Sequence, residues 1–163
     1  DMAVPLLAKE APEAYVELLQ SRNDGKRRLS DLEQEAFGWT HAEAAGVMAR
    51  GWNLPEAFAV LIENHTDLDS WVAQPANAPD KLAVSLSALL PAVGDQQWAD
   101  YEQFESTYQR ICPVDGPSIP EILATIDEDF TEFAPVLKIA TPARSLVERF
   151  EHMAQAAESA DEG

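Results

Sequence analysis

Cysteine is nearly absent from the 163-residue chain: Cys112 is the single one, so no internal disulfide can form and no zinc pattern of paired cysteines is possible. A reducing compartment is the expectation. No stretch approaches ~18 uninterrupted apolar residues, and the N-terminus carries neither a basic region nor a signal-type apolar run. That pattern predicts a cytoplasmic protein with no membrane partner. Positive charge is scarce as well, because 11 Lys and Arg stand against 29 Asp and Glu, a formal net charge of −18. Such a surface repels phosphate backbones, which excludes nucleic acid as a partner. Glycine numbers only 7, β-branched runs are few, and no segment of four or more residues alternates as a strand does.

What remains is a globular, all-α composition. Hydrophobic residues make up 46% and charged residues 25%, too apolar for a disordered chain. Apolar residues recurring at three and four predict helices over 2–9, 12–20, 31–37, 41–51, 55–65, 80–91, 96–110, 119–137 and 142–158. Three capping boxes mark starts, at Ser30 with Glu33, Thr40 with Glu43 and Ser118 with Glu121. Pro55, Asp80 and Thr141-Pro142 suggest others. Residues 66–79, rich in Asp, Pro, Ala and Asn, read as a loop. The chain opens on Asp1 and runs at once into Met2-Ala3-Val4-Pro5-Leu6-Leu7-Ala8, which reads as a fragment of something longer.

Two long C-terminal segments are strongly patterned. Leu123, Ile126, Phe130, Phe133 and Leu137 form one apolar stripe, and Leu146, Phe150, Met153 and Ala157 form another. Intramolecular packing is the preferred reading over a dimer seam, because two such helices supply too few heptads for a coiled coil. The oligomeric state stays open. The acidic tail after Ala156 reads as a fraying helix end. Arg22, Lys26, Arg27 and Arg28 concentrate positive charge around Asp24-Gly25, a docking patch for an acidic partner or simply a solvated turn.

Residues 36–65 carry the most chemistry. Two helices of similar length joined by the short Trp52-Asn53-Leu54 turn should run antiparallel, which brings His41 and His65 to one end. His41, Ala45, Met48 and Trp52 share one face, and Phe58, Leu61, Ile62 and His65 share the other, so Trp52, Leu61 and Phe58 are expected in the core of the hairpin. Paired imidazoles with Asp67 and Asp69 close behind, and Asp1 as a further carboxylate, are donors that suit iron, manganese or zinc, whose bound water is a hydrolytic nucleophile. The plainer reading is that both histidines cap and pack, His65 at a helix C-terminus.

The run Phe37-Gly38-Trp39-Thr40-His41-Ala42-Glu43-Ala44-Ala45-Gly46, followed by Gly51-Trp52-Asn53-Leu54-Pro55-Glu56 and Ile62-Glu63-Asn64-His65, resembles the hallmark of HDOD domains, the regulatory relatives of HD phosphohydrolases. Asp1 to Ala8 and Pro12-Glu13-Ala14-Tyr15 match as well. The resemblance implies an HD-like helical bundle, partial here, with its C-terminal part at residues 1–70 and a helical continuation over 71–163. It implies that Asp1, His41 and His65 fall on positions that ligate metal in catalytic HD relatives, including cyclic-dinucleotide phosphodiesterases. Asn64 departs from that pattern, since those enzymes usually carry a second histidine there and then Gly-Tyr-Pro, whereas this chain reads Asn64-His65-Thr66-Asp67. A neutral amide is a poor ligand for a transition metal. The implied function is therefore a non-catalytic module of bacterial signal transduction, without cofactor, acting on a protein partner or a fused signalling domain. The alternatives are a metal-dependent phosphohydrolase acting on a nucleotide or cyclic dinucleotide, and an acidic helical interaction scaffold.

Overall fold

A computed structural model describes residues 2–73 and 79–161, and among them every regular element is a helix. The chain divides into two compact units, Asp1–Leu89 and Leu90–Gly163.

The first unit holds α1 (Val4–Glu10), α2 (Pro12–Ser21), α3 (Leu29–Phe37), α4 (His41–Gly51), α5 (Glu56–Glu63), α6 (Leu68–Val72) and α7 (Pro79–Ser87). Pro5 and Pro12 lie in the first turns of α1 and α2, where a missing N–H costs nothing. Between α2 and α3 the chain reverses through Asn23, Asp24 and Gly25, all left-handed with φ of 48°, 56° and 93°. Asn, Asp and Gly are the residues that tolerate such backbone. At the start of α4 the Thr40 box forms as expected: Glu43 N–H donates to Thr40 Oγ1 at 3.3 Å and Thr40 N–H donates to the Glu43 carboxylate at 2.7 Å.

The Ser30 box does not form. Arg28 is the residue that precedes α3, no side chain caps that end, and Ser30 is itself buried inside the helix. Its intended partner Glu33 is drawn into the core instead. The 66–79 segment is not all loop either, because Asp67 accepts from Ser70 N–H at 3.4 Å and opens α6, whose Leu68 is buried. The rest of that predicted loop, 74–78, lies outside the described residues. Helix α7 joins this unit through Ser85, whose hydroxyl donates to the Asn64 carbonyl at 3.2 Å.

The α4–α5 hairpin is built on small residues. Its buried positions are His41, Ala42, Ala45, Gly46 and Ala49 on α4 and Ala59 on α5. A Cβ on Gly46 would stand 2.6 Å from Glu63 Cβ, so α5 approaches the α4 backbone as closely as only glycine permits. This corrects the expected core. Trp52 is 60% exposed and Phe58 59% exposed, while Leu61 is half-buried. Helices that close on Ala and Gly leave their large side chains outside the seam. Arg50 then ties the pair together, donating to both carboxylate oxygens of Glu63 at 2.9 and 2.7 Å and to Glu56 at 3.0 to 3.2 Å.

The second unit contains α8 (Tyr101–Ile111), α9 (Ile119–Leu137) and α10 (Leu146–Asp161). Tyr101, Phe104, Thr107 and Tyr108 are the buried face of α8, and Trp98 packs on Tyr101 and Phe104 with ring centroids 5.6 and 5.4 Å apart. Helix α8 starts later than the predicted 96, since Asp95 is buried and its carboxylate accepts from Ala92 N–H at 2.9 Å, closing a turn there. Glu121 caps α9, accepting from Ser118 N–H and Oγ–H at 2.7 Å each. Helix α10 begins at Leu146 rather than 142 because its first donors are met there. Ser145 and Glu148 form a reciprocal pair, and Asp127 of α9 accepts from Leu146 and Val147 N–H at 2.9 and 3.2 Å. The two apolar stripes are covered only in part: Leu123 and Phe150 are buried, Ile126, Phe130, Leu146 and Met153 are half-buried, and Phe133 and Ala157 are exposed. The side chain of Leu137 lies outside the described ones.

Candidate functional site

The hairpin brings His41 and His65 together, with ring centroids 5.2 Å apart at a 53° tilt. His41 opens α4 and is buried; His65 follows the last turn of α5 and is half-buried.

A third residue organises the pair. Glu33 of α3 is fully buried. Its Oε1 accepts from the Tyr15 hydroxyl at 2.6 Å, and its Oε2 accepts from the His41 backbone N–H at 2.7 Å and faces His41 Nδ1 at 2.6 Å. Burial by itself raises a carboxyl pKa, but the bonds from His41 and Tyr15 outweigh it and hold Glu33 below the usual carboxylate range. Tyr15 moves the other way: burial, then its bond to Glu33 and the charge there, push its hydroxyl well above the ordinary tyrosine value. An ionised carboxylate only accepts, so His41 Nδ1 carries the proton and a neutral ring keeps its lone pair on Nε2. His65 is held in the same sense, because its Nδ1 lies 2.7 Å from the Ile62 carbonyl, which also only accepts. Burial depresses the His65 pKa; the Ile62 carbonyl opposes that shift, and the neighbouring His41 and Arg28 add to it.

The remaining sequence candidates fall elsewhere. Asn64 turns back on its own helix, its Nδ2 donating to the Val60 carbonyl at 2.8 Å. Asp67 is spent as the cap of α6, and Asp69 is exposed on that helix. Asp1 lies outside the described residues. Of the basic cluster, Lys26 and Arg27 are exposed and Arg22 and Arg28 half-buried, and Arg27 pairs with Glu35 at 2.7 Å. Sequence reasoning took Glu33 for a capping residue and missed its role. The signal was its phase, four residues before Phe37 and beside Leu32 on the apolar side of α3.

Around the two imidazoles, Phe37 stacks between Tyr15 and Trp39 with centroids 6.1 and 5.3 Å away, which fixes the loop that delivers His41. Residues 1–68 match the family model of the HDOD domain. That stretch is similar to HDOD domains. The match takes in α1 to α5 with both histidines and Glu33, and it ends at the start of α6. No curated protein and no solved structure matches the chain. The resemblance to catalytic HD relatives implies metal ligands at Asp1, His41 and His65. Among the described residues no three His, Cys, Asp or Glu side chains gather as a metal cluster requires. Glu33 is engaged by His41 and Tyr15, and Asn64 faces Val60. Asp1, the third position of that set, lies outside the described residues. No helix among the described residues is long and apolar enough to cross a membrane.

Proposed function

We propose that the chain is a non-catalytic regulatory module of HDOD type, which works by binding a protein or ligand in signal transduction. The observation that carries this reading is the orientation of Asn64. At the position where catalytic relatives usually carry a second histidine, the side chain is an amide bonded to its own helix at 2.8 Å. Metal-assisted hydrolysis needs enough fixed ligands to hold an ion and still leave a position for water. An amide turned onto its own helix supplies none at that position.

One observation favours the hydrolase alternative. Both histidines have Nδ1 tied to an acceptor, a carboxylate for His41 and a carbonyl for His65, which is how metal-ligating histidines are oriented. The two readings separate in one experiment. The chain is purified without chelator, manganese, iron and zinc are measured by elemental analysis, and turnover of a cyclic dinucleotide and of bis(p-nitrophenyl) phosphate is assayed. The regulatory reading expects no turnover, with or without added metal. Stoichiometric metal accompanied by turnover, both lost in His41→Ala and His65→Ala, would overturn it.

A further inference from the structure

Helix α9 carries a second pattern, on the side away from the start of α10. Ile122, Ile126, Asp129, Phe133 and Val136 are spaced 4-3-4-3, and at about 3.6 residues per turn they fall within roughly 80° of arc, so they share one face. Leu123 and Ala134 are buried and Asp127 accepts from the first N–H groups of α10, which marks the covered side. The other face opens along the helix: Ile122 and Ile126 are half-buried, Phe133 is 56% exposed and Val136 75%. Apolar side chains at that spacing are what one helix offers another to seat on. The position midway along this stripe, Asp129, is a carboxylate instead.

That carboxylate decides the occupant. Asp129 is exposed and enters none of the ion pairs among the described residues. Glu132, one turn before Val136, enters none either, and Lys138 past the helix end pairs with neither of them. Covered by an apolar stripe, Asp129 would lose its water, and a cation set opposite is what restores the loss. A second copy laid along the face with the stripes in full overlap, parallel or antiparallel, would bring Asp129 against Asp129, a contact of like charges that disfavours self-pairing. We propose that this face of α9 docks one amphipathic helix of a partner protein, whose apolar stripe is broken at its middle by a Lys or Arg that meets Asp129. The face lies outside residues 1–68, so the proposal goes beyond the regulatory reading and stands apart from it: hydrolytic turnover would defeat that reading and leave this face as it is.

The probe is a synthetic helix with leucines at the same spacing, neutral flanks and lysine at the central stripe position, set against the same peptide with glutamate there. Binding to the full chain is measured by calorimetry at about 0.15 M salt, where attraction beyond about 8 Å is screened, and sedimentation of the chain alone reports self-association. The lysine-centred peptide should bind, and the glutamate-centred one should bind roughly tenfold more weakly or not at all. Phe133→Ser should weaken the lysine-centred peptide roughly tenfold or more. Val114→Ser, at a wholly exposed side chain ahead of α9, should not. Asp129→Lys should reverse the preference between the two peptides, a result that a misfolded chain cannot give. Because Asp129 and Phe133 are exposed, the fold should persist in their variants, and far-ultraviolet circular dichroism checks that. No binding of the lysine-centred peptide, or equal binding of the two peptides, would overturn the proposal. So would an unreversed preference in Asp129→Lys, or self-association of the chain that Phe133→Ser abolishes.

Discussion

Glu33 shows how much of the site rests on a single buried group. Its folded pKa lies below the unfolded carboxylate value, about 4.3 for glutamate. Between those two values the unfolded chain binds more protons than the folded one. The stabilisation is therefore complete above about pH 4.3 and is lost as pH falls through the folded value. Glu33→Gln keeps the shape but cannot accept at every contact, and leaving a buried donor unmet costs about 1–3 kcal/mol. We expect the variant to unfold at lower urea at neutral pH and to lose part of the wild-type acid limb. Urea midpoints measured from about pH 7 downward check both, and an acid limb identical to wild type would refute the assignment. His65 adds a separate limb of the same sign. Its depressed value means that the unfolded chain protonates first as pH drops below about 6.5.

At the scale of elements, the hairpin was legible because its signals are local. A capping box and a short turn, with Asn53 in left-handed backbone at φ 57°, suffice to pair His41 with His65, although α5 ends at Glu63, short of the expected 65. The faces were less legible. Ranking residues by size placed Trp52 and Phe58 inside, yet the seam closes on Ala45, Gly46, Ala49 and Ala59, and close approach of two backbones leaves no periodic mark in the large residues. The start of α10 was hidden for another reason: Asp127, which caps it, is about twenty positions away in the chain. Gly46 tests the account of the seam. Alanine there gains about 1 kcal/mol in helix propensity, but its Cβ would stand 2.6 Å from Glu63 Cβ, which is not the free end of a flexible chain. Overpacking of that kind costs about 1–3 kcal/mol, and displacing Glu63 also disturbs its bonds to Arg50. Gly46→Ala should thus lower the melting temperature. Gly51→Ala on the same helix, with nothing within 4 Å of its Cβ, should leave it unchanged or raise it. Equal shifts in the two variants would mean that the seam is not as tight as described.

For the whole molecule the dominant fact is uncompensated charge. A formal −18 on 163 residues opposes compaction through self-repulsion. Salt screens that repulsion, the Debye length falling from about 30 Å at 0.01 M to about 8 Å at 0.15 M. Salt also weakens the favourable pairs, Arg27 with Glu35 and Arg50 with Glu56 and Glu63. Those pairs are exposed, and a surface pair is worth about 0–1 kcal/mol. With more than twice as many acidic as basic side chains, repulsion outnumbers attraction, so its relief should win. The melting temperature should therefore rise as sodium chloride goes from about 0.01 to about 0.15 M, most steeply at the low end where the Debye length changes most. Thermal melts followed by circular dichroism across that range measure it. A flat or falling curve would mean that the exposed ion pairs, Arg50 first among them, carry more of the stability than their exposure allows.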